Sequence, residues 1–153
     1  MTKVLVALDE SPVSRRAAQV AGRLFAGPDT EFLAISVAEV PTAWGDPFGG
    51  VYALPQSFWN DIPSEGLTAR DVAAEADASG LAHAEPLVEV GMPVERIVAA
   101  ADEHDVDVIV VGAHDKGFLR RLVDPSVSEG VNHRAHRPVL VVSEDEHRHR
   151  PRR

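Results

Sequence analysis

The most restrictive feature of the sequence is an unbroken run of four β-branched apolar residues at 108–111, which ends at Gly112. Such a run, bounded by a turn residue, is typical of a strand buried on both faces in the middle of a parallel sheet. The next thirteen residues are mostly polar, basic or small, and Ser126 then begins a segment with apolar residues at helical spacing. A strand, a loop and a helix N-terminus in this order gather backbone N–H groups around an anion. The stretch predicts a central strand and, after it, the place where a phosphate would bind.

Four further apolar stretches, at 3–8, 31–37, 84–90 and 139–142, are predicted strands. Helix-favouring segments separate them at 13–25, 64–78, 94–101 and 127–135. Strands that alternate with helices in this way predict an α/β fold, in which helices cover both faces of a parallel sheet. Pro86 and two glutamates favour an edge position for the 84–90 strand. The length of 153 residues predicts one domain.

The segment that follows the 108–111 strand resembles the nucleotide loop of the universal stress protein family. The residues that carry this resemblance are Gly112, His114, Gly117, Leu119, Arg120, Arg121, Leu122, Ser126, Val127 and Ser128. Residues 138–142 resemble the final strand of that family. The resemblance implies a universal stress protein domain at 1–143, with an adenine nucleotide alpha-hydrolase-like fold. That fold is a doubly wound, five-stranded parallel sheet of order 3-2-1-4-5. Residues 144–153 are then expected to form a charged, disordered tail.

The resemblance also implies a site where the strand order reverses, between the first and fourth strands. In the family, the positions of Asp9 and Val37 hold the adenine and ribose end of a nucleotide. The phosphates are held by the loop, whose matching positions here are Gly112, His114, Gly117, Ser126 and Val127. Asp9 and Gly112 are therefore expected to face each other across one crevice.

The loop departs from the family pattern at two positions. The pattern is a glycine, two residues, a second glycine, nine residues, a third glycine, and then Ser or Thr. Gly112 and Ser126 fit it, but Asp115 replaces the second glycine and Pro125 replaces the third. A glycine lets the backbone approach a phosphate, whereas Asp115 adds a carboxylate there and Pro125 has no N–H to donate. Nearby basic residues would offset part of this effect. Weak or absent binding of ATP or AMP is expected, and no cofactor is required.

Other kinds of site find less support. Asp9 and Glu10 resemble the acidic pair of a receiver domain, but Gly91 and Ser143 stand where the acceptor aspartate and the lysine would be needed. That interpretation is rejected.

The histidines do not indicate a metal site or a catalytic site. His133 and His136 have the spacing of a metal pair, but no third ligand is apparent, so no metal site is predicted. His114 lies in the expected crevice without a partnered serine or cysteine, which argues against a catalytic role. No catalytic residue is assigned.

The segment 39–63 interrupts the alternation of strands and helices. It holds four prolines and five of the eight aromatic residues, namely Trp44, Phe48, Tyr52, Phe58 and Trp59. A loop of this length is often functional. The favoured interpretation is that its aromatics pack on the body of the domain. Stacking on a base and contact with a protein partner remain alternatives.

Composition limits the remaining classes of function. The net charge is -9, which argues against a general nucleic-acid surface, although four arginines lie in the last seven residues. No apolar run is long enough to span a membrane, and no leader precedes the first strand, so a cytoplasmic protein is expected. The absence of cysteine excludes disulfides and thiolate chemistry.

The final strand predicts an assembly. Val139, Leu140, Val141 and Val142 carry no charge, and an unguarded apolar edge is a template for pairing with another chain. In the family that it resembles, two copies of this strand run antiparallel across a two-fold axis. A homodimer is therefore expected, in which Val139 and Val141, or Leu140 and Val142, meet their symmetry mates.

Together these features favour a universal stress-type protein that is not an enzyme and acts through regulated association. One alternative is a stress sensor that binds ATP or AMP and hydrolyses nucleotide slowly. Another is a nucleotide-independent adaptor that grips a protein partner with the aromatic segment 39–63.

Overall fold

The computed structural model describes residues 1–38, 68–113 and 127–143. The strands in these ranges are β1 (Thr2–Ala7), β2 (Thr30–Ala38), β3 (Glu85–Val90), β4 (Val108–Ala113) and β5 (Val139–Ser143). The helices are α1 (Pro12–Leu24), α2 (Ala69–Ala78), α3 (Pro93–Glu103) and α4 (Val127–Arg134). All five predicted strands are confirmed, and their bounds differ from the predicted ones by no more than two residues.

The five strands form one parallel sheet of order β3-β2-β1-β4-β5. This order confirms the predicted topology, including the edge position of β3. The central strand β1 pairs with β2 on one side and with β4 on the other, so the order reverses between β1 and β4. That reversal places a crevice at the carboxyl ends of the two strands.

Helices cover both faces of the sheet, as predicted. Side chains alternate along a strand, so Val4 and Val6 of β1 face the layer of α1 and α2, whereas Leu5 faces α3 and α4. The first layer is rich in buried alanine, which lets α1 lie close to the sheet. The second layer contains larger residues, among them Ile97 of α3 and Val131 of α4.

Helix α2 begins later than predicted. The sequence suggested a start at residue 64, but Thr68 has extended backbone angles and serves as the N-cap of a helix that begins at Ala69. The Thr68 hydroxyl accepts from the N–H of Asp71, and the Asp71 carboxylate accepts from the N–H of Thr68. This capping box satisfies donors that would otherwise lack partners, and it fixes where the helix begins.

Helix α4 also differs from its predicted apolar stripe of Val127, Val131 and Ala135. Val131 is buried and Ala135 packs beside it, but Val127 is exposed. Helix α4 approaches α3 closely one turn further along, at Gly130. A Cβ added there would lie 2.7 Å from Cγ2 of Val94. Val127 therefore lies beyond the packed part of the helix.

The described helices are short. The longest is α1, with 13 residues. In the ranges that the structure describes, no helix combines the length and the apolar character needed to cross a lipid bilayer.

Candidate functional site

At the carboxyl end of β1, the strand stays paired with β2 for longer than with β4. The pairing of β1 with β4 ends at Val6 and Val110, whereas its pairing with β2 continues to Ala7 and Ile35. The N–H of Leu8 then donates to the carbonyl of Ile35, with a distance of 2.8 Å. The chain after β1 is thus held on the β2 side of the point where the strand order reverses.

The turn after β1 is fixed by hydrogen bonds to the start of α1. Asp9 Oδ1 accepts from the N–H of Ser11 at 3.0 Å, and the Asp9 N–H donates to Ser14 Oγ at 3.3 Å. The Ser14 hydroxyl donates to the Ser11 carbonyl, and the Ser11 hydroxyl caps the helix by accepting from the Ser14 N–H. Ser14 is buried, and these bonds satisfy its hydroxyl. Asp9 is therefore held in a defined position at the mouth of the crevice.

Gly112 lies on the other side of the same helix turn. A Cβ added to Gly112 would lie 3.0 Å from the carbonyl carbon and oxygen of Val13 and 3.1 Å from the nitrogen of Ser14. These neighbours are backbone atoms, which cannot turn aside as a flexible side chain can. The packing of β4 against α1 therefore favours glycine at this position, in addition to any role toward a phosphate. Asp9 and Gly112 both meet Ser14, so the structure brings these two predicted site residues together.

The other predicted site residues divide into two groups. Val37 lies near the carboxyl end of β2, pairs with Glu89 and packs against the α3 and α4 layer. Val127 is the first residue of α4 and is exposed. The loop positions His114, Asp115, Gly117, Pro125 and Ser126, like the aromatic segment 39–63 and the tail 144–153, lie outside the described residues.

His136, one of the two histidines with the spacing of a metal pair, contacts an aspartate of α3. Nδ1 of His136 lies 3.3 Å from Oδ2 of Asp102, and both groups are exposed. Among the described residues, no group of three His, Cys, Asp or Glu side chains is placed to hold a metal ion. The contact ties the chain before β5 to the end of α3.

A shallow polar groove of about 490 Å³ lies between α1 and α2. The polar residues that line it are Glu10, Arg15, Gln19, Asp71, Glu75 and Ser79. Nε of Arg15 lies 3.3 Å from Oε1 of Glu75, so an ion pair connects the two helices at this groove. Sequence reasoning did not single out Arg15 or Ser14. Ser14 could have been found, because a serine three residues after an N-cap serine lies within the first turn of the helix.

Comparisons with known proteins agree with this architecture. The model of the universal stress protein family matches residues 1–143. Universal stress protein MJ0531 of Methanocaldococcus jannaschii is 34% identical over 140 residues, which cover 92% of this chain and 81% of that protein.

Solved structures share the fold. One is the structure of MJ0577, a universal stress protein of Methanocaldococcus jannaschii, which is 25% identical and has a TM-score of 0.66. The match covers 94% of this chain and 96% of the MJ0577 chain. A universal stress protein crystallised in complex with cAMP has a TM-score of 0.59 at 23% identity, with 93% of this chain and 96% of that chain covered. At that identity the second likeness bears on the fold alone.

Proposed function

Because the chain belongs to the universal stress protein family, we propose that it acts without enzymatic activity, through regulated association with another protein molecule. Its crevice has weak or absent affinity for ATP. The observation that carries this proposal is a contrast within one site. Asp9 and Gly112 meet at the first turn of α1. The loop sequence that follows Gly112 carries Asp115 and Pro125 in place of two glycines.

The adenosine side of the crevice has the support that a binding site needs. Asp9 is oriented by the Ser11 N–H and by Ser14, so its position does not depend on a ligand. Val37 lies close to the end of β2, where its backbone groups approach the same edge of the sheet. These two positions are the ones that the family uses for adenine and ribose.

The phosphate side is electrostatically unfavourable. Asp115 adds a negative charge to a loop that would face phosphates, and Asp9 and Glu10 already lie at the mouth of the crevice. At ~4 Å and an effective dielectric constant near 20, one pair of like charges costs on the order of 4 kcal/mol. ATP brings more negative charge than AMP, so AMP is the better candidate ligand. The complex of a family member with cAMP supports testing nucleoside monophosphates.

Calorimetric titration with AMP and with ATP, each with and without magnesium, tests the nucleotide part of the proposal. We expect AMP to bind more tightly than ATP. The double substitution Asp115→Gly and Pro125→Gly should raise the affinity for ATP at least tenfold, and that for AMP less. Asp115→Asn is the matched control, because it removes the charge but keeps a side chain. A wild-type dissociation constant for ATP in the low micromolar range would contradict the proposal.

The association would use the outer edge of β5. In the described part of the chain, β5 pairs only with β4. Val142 is buried within its own subunit, whereas Val141 is 43% exposed. Of the two predicted contact sets, this exposure supports the one formed by Val139 and Val141. A homodimer through that edge is the assembly that we propose.

A stress sensor that hydrolyses nucleotide slowly is the second candidate. The ordered turn at Asp9 favours it, because this turn would hold a nucleotide whether or not the nucleotide is then hydrolysed. Incubation of purified protein with ATP and magnesium, followed by chromatography of the nucleotides, separates the two candidates. Steady formation of ADP or AMP that Asp9→Asn abolishes would favour the sensor.

A further inference from the structure

Glu10 has a backbone conformation that is unusual for a residue with a side chain. Its φ is +62°, in the left-handed region. Only a few per cent of residues other than glycine have positive φ, because Cβ then crowds the backbone. Glu10 lies between Asp9 and the N-cap Ser11, so its conformation determines how Asp9 leaves β1 and meets α1.

Arg15 holds this conformation from the first turns of α1. Its Nη2 donates to the carbonyl oxygen of Glu10 at 3.0 Å. Its Nε donates to Oε1 of Glu75 on α2 at 3.3 Å. Because the guanidinium group is planar and its donors are fixed, two contacts from one group define its orientation. In this structure the bond to the Glu10 carbonyl is made with the turn in its left-handed geometry.

Glu75 is a firm anchor for this arginine. The side chain of Glu75 is only 11% exposed, and its Oε2 is buried with no hydrogen-bond partner among the residues that the structure describes. A carboxylate in these surroundings depends on its cation more than an exposed one does, since removal of the partner leaves a buried charge uncompensated. The side chain of Arg15 is more exposed, at 54%, and its guanidinium group can therefore reach the surface turn at Glu10.

We infer that Arg15 is a positioning residue for the candidate site: it holds Glu10 in the left-handed conformation and thereby places Asp9. The route is short, because the Ser11 N–H that binds the Asp9 carboxylate immediately follows Glu10. Through Glu75, the same arginine ties the turn to α2. This inference rests on the proposed function in one respect, namely that Asp9 faces a bound nucleotide.

The test compares Arg15→Gln in two backgrounds of the full chain, native and Glu10→Gly. Glycine adopts positive φ without steric cost, so a turn with glycine at position 10 should not need the arginine. In the native background we expect AMP affinity to fall about fivefold, the worth of one hydrogen bond. In the Glu10→Gly background the same substitution should change affinity less than twofold. Arg23→Gln is the matched control, since it removes one positive charge from the far end of α1.

A second readout needs no ligand. Backbone order parameters from nitrogen-15 relaxation report the ps–ns motion of the amides of Glu10 and Ser11. In the native background, Arg15→Gln should lower them from about 0.85 toward 0.6, and Arg23→Gln should not. If the wild-type protein binds no AMP, the nucleotide part of the proposed function fails and the order parameters alone decide the inference.

Two results would overturn the positioning role. One is that the order parameters at Glu10 and Ser11 stay unchanged in Arg15→Gln. The other is an equal loss of AMP affinity in both backgrounds, because Arg15 would then act through its charge or through Glu75 and not through the turn.

Discussion

The two edge strands of the sheet, β3 and β5, both expose apolar side chains but differ in the charged residues and prolines that they carry. Val88 of β3 is 40% exposed and Val141 of β5 is 43% exposed. Strand β3 also carries Glu85, Pro86 and Glu89, whereas β5 has no charged residue. Charge and proline oppose pairing with another chain. The comparison therefore favours β5 over β3 as the edge for the homodimer that we propose.

The two edge strands also differ in the contacts that hold the neighbouring segments in place. Strand β3 lies against α2, whose start is fixed by the capping box of Thr68 and Asp71. Strand β5 follows Arg137, which donates from Nη2 to Oδ1 of Asp105 at 2.7 Å. One edge is thus secured by a helix cap and the other by surface ion pairs.

The largest expected effect is on assembly. Val141→Lys should weaken the homodimer at least 100-fold, about 2.7 kcal/mol, because a lysine would lie where two apolar edges meet. Val88→Lys is the matched control at the opposite edge, and it should leave the dimer intact. Sedimentation velocity over a range of concentrations measures both.

Two outcomes would break the comparison. One is an unmodified chain that sediments as a monomer of 16.5 kDa at micromolar concentration. The other is equal dissociation by the two lysine substitutions, which would show that the guarding residues of β3 do not distinguish the edges.

The second effect separates the core face of β5 from its edge. Val142 is buried in the α1 layer, so Val142→Ala should lower the free energy of unfolding by about 2 kcal/mol through lost burial and a residual cavity. Val90→Ala, at an exposed position of β3, should change it by less than about 0.5 kcal/mol. Urea denaturation measures both values. If Val142→Ala dissociated the dimer without destabilising the fold, the assignment of Val142 to the core would be wrong.

A smaller effect is expected where β5 is fastened. Arg137→Ala should lower the free energy of unfolding by at most about 1 kcal/mol, because its ion pairs with Asp102 and Asp105 are partly exposed. High salt should reduce the difference between wild type and variant, since it screens such pairs. His136→Ala is a useful comparison, because it removes the contact of Nδ1 with Asp102 and leaves both ion pairs of Arg137 in place. If the loss of unfolding free energy in Arg137→Ala did not change with salt, its cause would be the lost packing of the arginine side chain and not the lost ion pairs.

Much of this fold could be predicted from the sequence because β1, β2, β4 and β5 are centred on apolar runs whose lengths are typical of buried strands. The start of α2 was missed because Ser64 and Thr68 both have cap chemistry. Only the reciprocal bonds between Thr68 and Asp71 show which of the described positions caps the helix.

The candidate site was predictable in part. Gly112 was found as a loop glycine, but its contact with the backbone of Val13 is a tertiary distance that no sequence pattern reports. The left-handed conformation of Glu10 could not be predicted from the sequence either, since positive φ is expected at glycine and not at glutamate. Arg15 was missed with it, because its role depends on that turn.

The smallest effect concerns the cap that secures α2 beside β3, and it is a pH effect. The hydrogen bond from the Thr68 hydroxyl, followed by that from the Thr68 N–H, lowers the pKa of Asp71 from its ordinary value of 3.8. A lowered pKa in the folded state means that the ionised cap adds stability above the unfolded pKa. This stability is lost as the pH falls through the folded value. Acidification below pH ~4 should therefore loosen the first turn of α2.

Thr68→Ala isolates this effect, because it removes the hydroxyl donor and leaves the carboxylate in place. Titration of the Asp71 carboxyl carbon by NMR should give a higher pKa in the variant than in the wild type. The amide of Val72, which donates to the carbonyl of Thr68 at 3.0 Å, should exchange faster with solvent at low pH than at neutral pH after correction for intrinsic exchange. Identical titration curves in the two proteins would show that the hydroxyl bond does not hold Asp71 ionised. In that case α2 would be held beside β3 only by the packing of its buried residues Val72 and Ala76. The difference between the two edges would then not depend on pH.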